Sequence, residues 1–218
     1  MIRDVTLSFD NGPTAGVTGH VLEVLRRHDI RATFFVLGKN IVEPSLKLLA
    51  RRAHDEGHWI GNHTFSHGVP LGKRADDRDA PHHEIGETQV LIGELAHPQK
   101  FFRPNGGGGV LGSHLLSRDA ADYLQRGQFT CVLWNAVPRD WDDPAGWVET
   151  ALAQCRALPW ALVVLHDLPT GAMAHLDAFI ARARDEGATF RQDFPPDCLP
   201  MIEGKATPSL QGFIAQGT

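Results

Sequence analysis

Cysteine is scarce in this chain of 218 residues: there are three, and no two stand at CxxC spacing. An odd, unspaced set excludes a disulfide framework and a thiolate zinc site. Cys131 and Cys155 lie in apolar surroundings and read as core residues, and Cys198 falls in a proline-rich tail with no evident role. Positive charge is not in excess either, with Lys+Arg 21 against Asp+Glu 26 and a net charge of -5. With no basic stripe, a nucleic-acid partner is not expected. A long hydrophobic run is also missing. The N-terminus goes straight into Ile2-Arg3-Asp4-Val5-Thr6-Leu7 without a basic segment and apolar core. No secretory signal, membrane span or membrane partner is read from it, and a cytoplasmic location is the expectation.

What is present has an ordinary globular balance, 42% hydrophobic and 22% charged residues. Apolar, β-branched runs at about 2–9, 31–37, 58–62, 100–103, 129–135, 161–166 and 187–190 read as strands. Between them lie stretches of helical period around Val21–Leu25, 40–56 (with Gly57 as its stop), 85–95, 115–124, 147–158 and 176–184. Strands alternating with helices imply βαβ units and a parallel sheet. About seven such repeats predict a small α/β barrel. One domain is expected over 1–218, with an extended tail from about 191 that carries Pro195, Pro196, Pro200 and Pro208.

Five short segments follow predicted strand ends, where a barrel gathers its chemistry. His63 and His67 stand four apart, a spacing that on a helical turn gives half of a zinc site and otherwise an unremarkable pair. Thr64 in place of Glu excludes the metalloprotease helix signature. Asp10-Asn11 before Gly12-Pro13 reads either as a turn closing a strand or as a base beside a metal ligand. Arg103, flanked by apolar residues, needs a buried carboxylate, and Asp140 is the natural candidate. Trp141 reads as a cleft wall or as core. His166 ends a strongly apolar strand, as a satisfied core residue or a proton donor, and Asp167 beside it is a candidate to hold the imidazole. The formal match Gly107-x-Gly109-x-x-Gly112 to a dinucleotide fingerprint fails, because Asn135 and no acid ends the next strand. The glycines 106–109 read instead as a cleft loop.

In this order the five segments resemble the polysaccharide deacetylase (NodB homology) domain of carbohydrate esterase family 4. Ser8 to Pro13 stands against Thr-Phe-Asp-Asp-Gly-Pro, and His63 to His67 against His-Thr/Ser-x-x-His. Arg103 and Gly107 fit Arg-x-Pro-Tyr-Gly, with Asn105 and Gly106 replacing the proline and tyrosine. Asp140-Trp141 keeps the end of Asp-x-x-Asp-Trp, with Val137 for the first acid, and Val164-Leu165-His166 stands against Leu-x-His, with valine for the usual leucine. The resemblance implies a distorted (β/α)7 barrel and removal of acetyl groups with a divalent metal, zinc by preference. It makes Asp10 the base, His166 the acid, Arg103 and Asp140 their supports, and Asn11, His63 and His67 the metal ligands. Asn105 and Trp141 fall to the substrate, a small molecule or an oligosaccharide. Because Asn11 stands where a carboxylate is usual, two other readings stay open: a metal-independent amide or ureide hydrolase, and a non-catalytic carbohydrate-binding domain.

Overall fold

The computed structural model of the chain describes residues 1–216. Its central strand is β1 (Asp4–Asp10). Val5, Leu7 and Phe9 are buried, and so are Thr6 and Ser8 on the other face, the pattern of a parallel strand covered on both sides. Along one edge it pairs with β6 (Trp160–His166) over its whole length, so that Asp10 stands opposite His166. Along the other edge it meets β7 (Thr189–Arg191) over Asp4 to Thr6, then β2 (Thr33–Val36) over Ser8 to Asp10. This wedging of β7 beside β2 is the distortion of the ring.

Strands β3 (Trp59–Asn62), β4 (Phe101–Phe102) and β5 (Thr130–Cys131) continue it in parallel. Closure onto β6 passes through Ala136, which bridges Val163. The Asn135 carboxamide assists, donating to Trp160 O at 3.0 Å and accepting from Leu162 N at 2.8 Å. The architecture is the distorted (β/α)7 barrel. Two pairings depart from an all-parallel sheet. After Phe190 the chain forms an antiparallel hairpin, β8 (Met201–Ile202) and β9 (Lys205–Ala206), and β8 lies antiparallel on β5. The tail is therefore not simply extended chain. Glu203 and Gly204, both at positive φ, make the tight turn.

The outer helices are α1 (Thr18–Arg27), α2 (Gly38–Ile41), α3 (Pro44–Asp55), α4 (Glu87–Ile92), α5 (Arg118–Arg126), α6 (Trp147–Ala157) and α7 (Leu176–Asp185). The single helix expected over 40–56 is two, because Pro44 lacks an amide and begins α3, with the Glu43 carboxylate accepting from Ser45 N. Ser117 caps α5 by accepting from Ala120 N at 3.1 Å, so that helix starts later than expected. The segment expected as a helix over 85–95 opens with a wide turn, His82–Gly86, before α4.

Inside the barrel the side chains stack along the axis. Phe194, from the tail, packs against Trp59, Phe35 and Phe101 at ring separations of 5.8, 6.4 and 5.0 Å and plugs the lower end. Above Phe35, at 4.0 Å from its centroid, lies the Arg103 guanidinium. The apolar floor thus leads directly to the charged mouth. No helix among the described residues is long and apolar enough to cross a membrane.

Candidate active site

Asp10 ends β1, Arg103 follows β4, His63 follows β3 and His166 ends β6, so all four emerge at the carboxyl ends of strands. Arg103 is fully buried. Its Nη1 donates to Asp10 Oδ1 at 2.8 Å and to Ser8 Oγ at 2.7 Å, while Nε and Nη2 donate to the Val132 and Leu133 carbonyls, each at 3.2 Å. The carboxylate expected to answer Arg103 was Asp140; it is Asp10. Asp140 instead binds His166 twice, accepting from its backbone N at 2.9 Å and pairing with Nδ1 at 2.8 Å. Nor does Asp167 hold that imidazole: it turns away to accept from Thr18 Oγ1. The sequence could not decide this, because strand register and not chain distance sets who meets whom.

His63 and His67 do not lie on a helical turn. The chain leaves β3 irregularly, with Thr64 at φ 71° and His67 at φ 52°, yet it brings the two rings within 5.0 Å of each other. His63 Nδ1 sits 2.8 Å from the Arg103 carbonyl, a partner that must be given a proton, which leaves Nε2 bare and 3.5 Å from Asp10 Oδ2. Asn11, at φ 76°, has its carboxamide oxygen buried without a hydrogen-bond partner. Among the described residues no three His, Cys, Asp or Glu side chains converge on a metal position. Beside Asp10 and His166, the cleft holds the imidazoles of His63 and His67 and the amide oxygen of Asn11.

The cleft has a volume of about 240 Å³. Asp10, Asn11, His63, His67 and His166 line it, facing an apolar wall of Trp134, Val137, Trp141, Val164 and Leu168. Trp141 stands edge-on to His166 at 4.7 Å. Asn105 also lines the cleft, but its carboxamide is engaged with the chain: it donates to Gly68 O and accepts from Gly107 N. The glycine loop after it packs on Trp134: a Cβ at Gly106 would strike the Trp134 ring, and Trp134 Nε1 donates to Gly109 O at 2.9 Å.

Burial and charge set the site's protonation. Burial alone would raise the Asp10 carboxyl, but the Arg103 guanidinium, helped by His63 and His166, outweighs it and holds the pKa below the usual range. Burial pulls His63 down to about 4 and His67 down as well. His166 goes the other way: burial opposes its charge, yet the hydrogen bond and charge of Asp140 raise it. Desolvation lifts Asp167 to about 6.

Several participants escaped sequence reasoning. Ser8 looked like an ordinary strand residue, and its hydroxyl is a contact of Arg103. Trp134 and Leu168 showed only as apolar residues, and Val137 only as the residue in place of a motif acid. Glu84 stands just before the helical stretch read over 85–95, with no signal that its carboxylate would reach the turn before His67.

The polysaccharide deacetylase family model matches residues 2–124. The chain belongs to that family, a class of hydrolases. It is 38% identical over 168 residues to the chitooligosaccharide deacetylase of Rhizobium leguminosarum bv. trifolii, covering 76% of this chain and 72% of that one. With the peptidoglycan-N-acetylglucosamine deacetylase of Bacillus cereus it shares 30% over 192 residues, 86% of this chain and 66% of the relative. Among solved structures it matches a family 4 acetyl xylan esterase from Clostridium thermocellum in complex with a cobalt ion. That match has a TM-score of 0.70 and 26% identity, and it covers 87% of each chain.

Proposed function

We propose that the cleft removes N-acetyl groups from an amino sugar in a small oligosaccharide, hydrolysing a non-peptide C–N bond with the help of a divalent metal. The observation that carries the reading is the pairing of Asp10 and His166 on one rung of the sheet with their proton affinities driven apart. Two titratable groups separated in this way divide the roles of base and acid between them.

The orphaned Asn11 oxygen and the bare Nε2 of His63 suit a cation. Asn11, His63 and His67 would hold it, and two imidazoles with an oxygen favour zinc. When bound, the ion would polarise the acetyl carbonyl and acidify water. Asp10 takes the proton of the attacking water as its oxygen bonds to the acyl carbon. Arg103 keeps Asp10 ionised for that step. His166, oriented by Asp140, gives its proton to the nitrogen as the C–N bond breaks, so that amide and water become acetate and free amine. Trp141 walls the acyl side, and Asn105 serves by fixing the glycine loop against Gly68.

The test is acetate release from N-acetylated chitooligosaccharides by protein stripped with a chelator and then restored with zinc. Zinc-dependent release supports the reading. Sugar binding without acetate, with or without zinc, overturns it in favour of a binding domain, and release unaffected by chelation overturns the role of the metal.

A further inference from the structure

We infer that Glu84 is a positioning residue that sets the His67 imidazole in the cleft by clamping the turn from Thr64 to Gly68. The inference rests on the metal-ligand reading of His67 and extends it to a residue outside the cleft.

The turn needs an outside support. Two of its residues, Thr64 and His67, occupy the left-handed region without being glycine, a conformation that persists only where the surroundings impose it. Glu84 supplies three of the hydrogen bonds that impose it. Its Oε2 accepts from two successive amides, Phe65 N at 3.0 Å and Ser66 N at 2.9 Å, and Oε1 accepts from Ser66 Oγ at 2.7 Å. Consecutive amides pointing at one anion form a concave cradle, filled here by a side chain of the same protein. Arg74 Nη1, 2.9 Å from Oε1, fixes the carboxylate from the far side.

The remaining amides of the turn are taken as well: Thr64 N by Asn62 Oδ1 at 3.0 Å, His67 N by Thr64 Oγ1 at 3.2 Å, and Gly68 N by Ser66 Oγ at 3.0 Å. Asn62 also donates to Ile85 O at 2.9 Å, tying the end of β3 to the wide turn His82–Gly86 that delivers Glu84. Widened turns of this kind recur at functional sites. Glu84 is buried but does not line the cleft, so any effect it has on chemistry passes through the turn.

The experiment uses cobalt as the probe. Cobalt(II) is titrated into the whole chain by calorimetry and followed by its visible absorption, for wild type, Glu84→Gln and Glu84→Ala. Leu25→Ala, a core truncation in α1, controls for lost stability alone. The expected result is roughly 10–100-fold weaker cobalt binding in both Glu84 variants, as is typical when a support of a ligand is removed, with an altered absorption band. Leu25→Ala should melt lower yet bind like wild type. Wild-type affinity and spectrum in Glu84→Ala overturn the positioning role and leave the proposed function standing. A wild-type chain that takes no cobalt overturns the ligand reading of His67, and the role of Glu84 falls with it.

Discussion

Replacing Arg103 with methionine would remove the one buried cation that answers Asp10 while keeping most of the volume. Four hydrogen bonds vanish, to Asp10, Ser8, Val132 and Leu133, and with them the contact over Phe35. The stranded Asp10 carboxylate dominates the cost, since breaking a buried pair from one side typically loses about 3–5 kcal/mol. Against a total stability of about 5–15 kcal/mol, the variant should remain folded but melt roughly 6–20 °C lower. Asp10 would also titrate higher, because burial would then act with less opposition. In the wild type its depressed pKa contributes stability at neutral pH that is lost as pH falls through the carboxylate range. In Arg103→Met that acid loss should shrink or reverse, because protonation relieves the stranded carboxylate, while the acid limb of the rate profile moves to higher pH. Urea unfolding at several pH values measures the first effect. The double variant Arg103→Met/Asp10→Asn provides the internal check, since neutralising the stranded charge should recover much of the stability. A loss below about 1 kcal/mol in the single variant, or a double variant worse than the sum of its parts, would refute the pairing argument.

Three further outcomes are expected. Asn11→Asp should tighten zinc binding by about 10-fold or more, read by competition with a chromogenic chelator, because a charged oxygen replaces a neutral one; unchanged affinity would place residue 11 outside the donor set. Asp140→Asn removes what raises His166, so the alkaline limb of kcat against pH should move to lower pH with a fall in kcat of roughly 10²–10⁴-fold; an unmoved limb would deny His166 the acid role. Asp167, buried at a pKa of about 6 against an ordinary 3.8, favours the folded state below the ordinary value and costs about 3 kcal/mol once pH rises past 6. Asp167→Asn should therefore flatten the fall in stability between pH 4 and pH 7 seen by calorimetric melting, and an equal fall in both proteins would show the group to be ionised without penalty.

Much of this molecule was legible from residue order. Strands β1 and β6 declare themselves by apolar runs that end in Asp10 and His166, and their burial on both faces is what such runs require. The five segments reach one cleft because parallel strands all point their ends the same way. What escaped was of two kinds. The strands read at 100–103 and 129–135 exist as β4 and β5, but each is only two residues long, and Pro104 cannot donate to the ladder. Pairings across the sheet were the other kind. Asp10 and Asp140 are both plausible partners for Arg103 by residue type, and only the placement of β4 across the barrel from β1 selects the first. The β8–β9 hairpin was hidden by the prolines around it, which suggested extended chain although Glu203-Gly204 marks a turn.

The ring is laced unevenly. Strand β1 is bound to three parallel neighbours, whereas the join between β5 and β6 depends on the Ala136 bridge and the carboxamide of Asn135. The mouth therefore has one firmly paired lip, carrying Asp10, and one more sparsely paired lip, carrying Trp141, with Asp140 tied back to His166. On the proposed reading, a substrate bearing a bulky substituent would be accommodated on the Trp141 side, while Asp10 keeps its place between its strand neighbours.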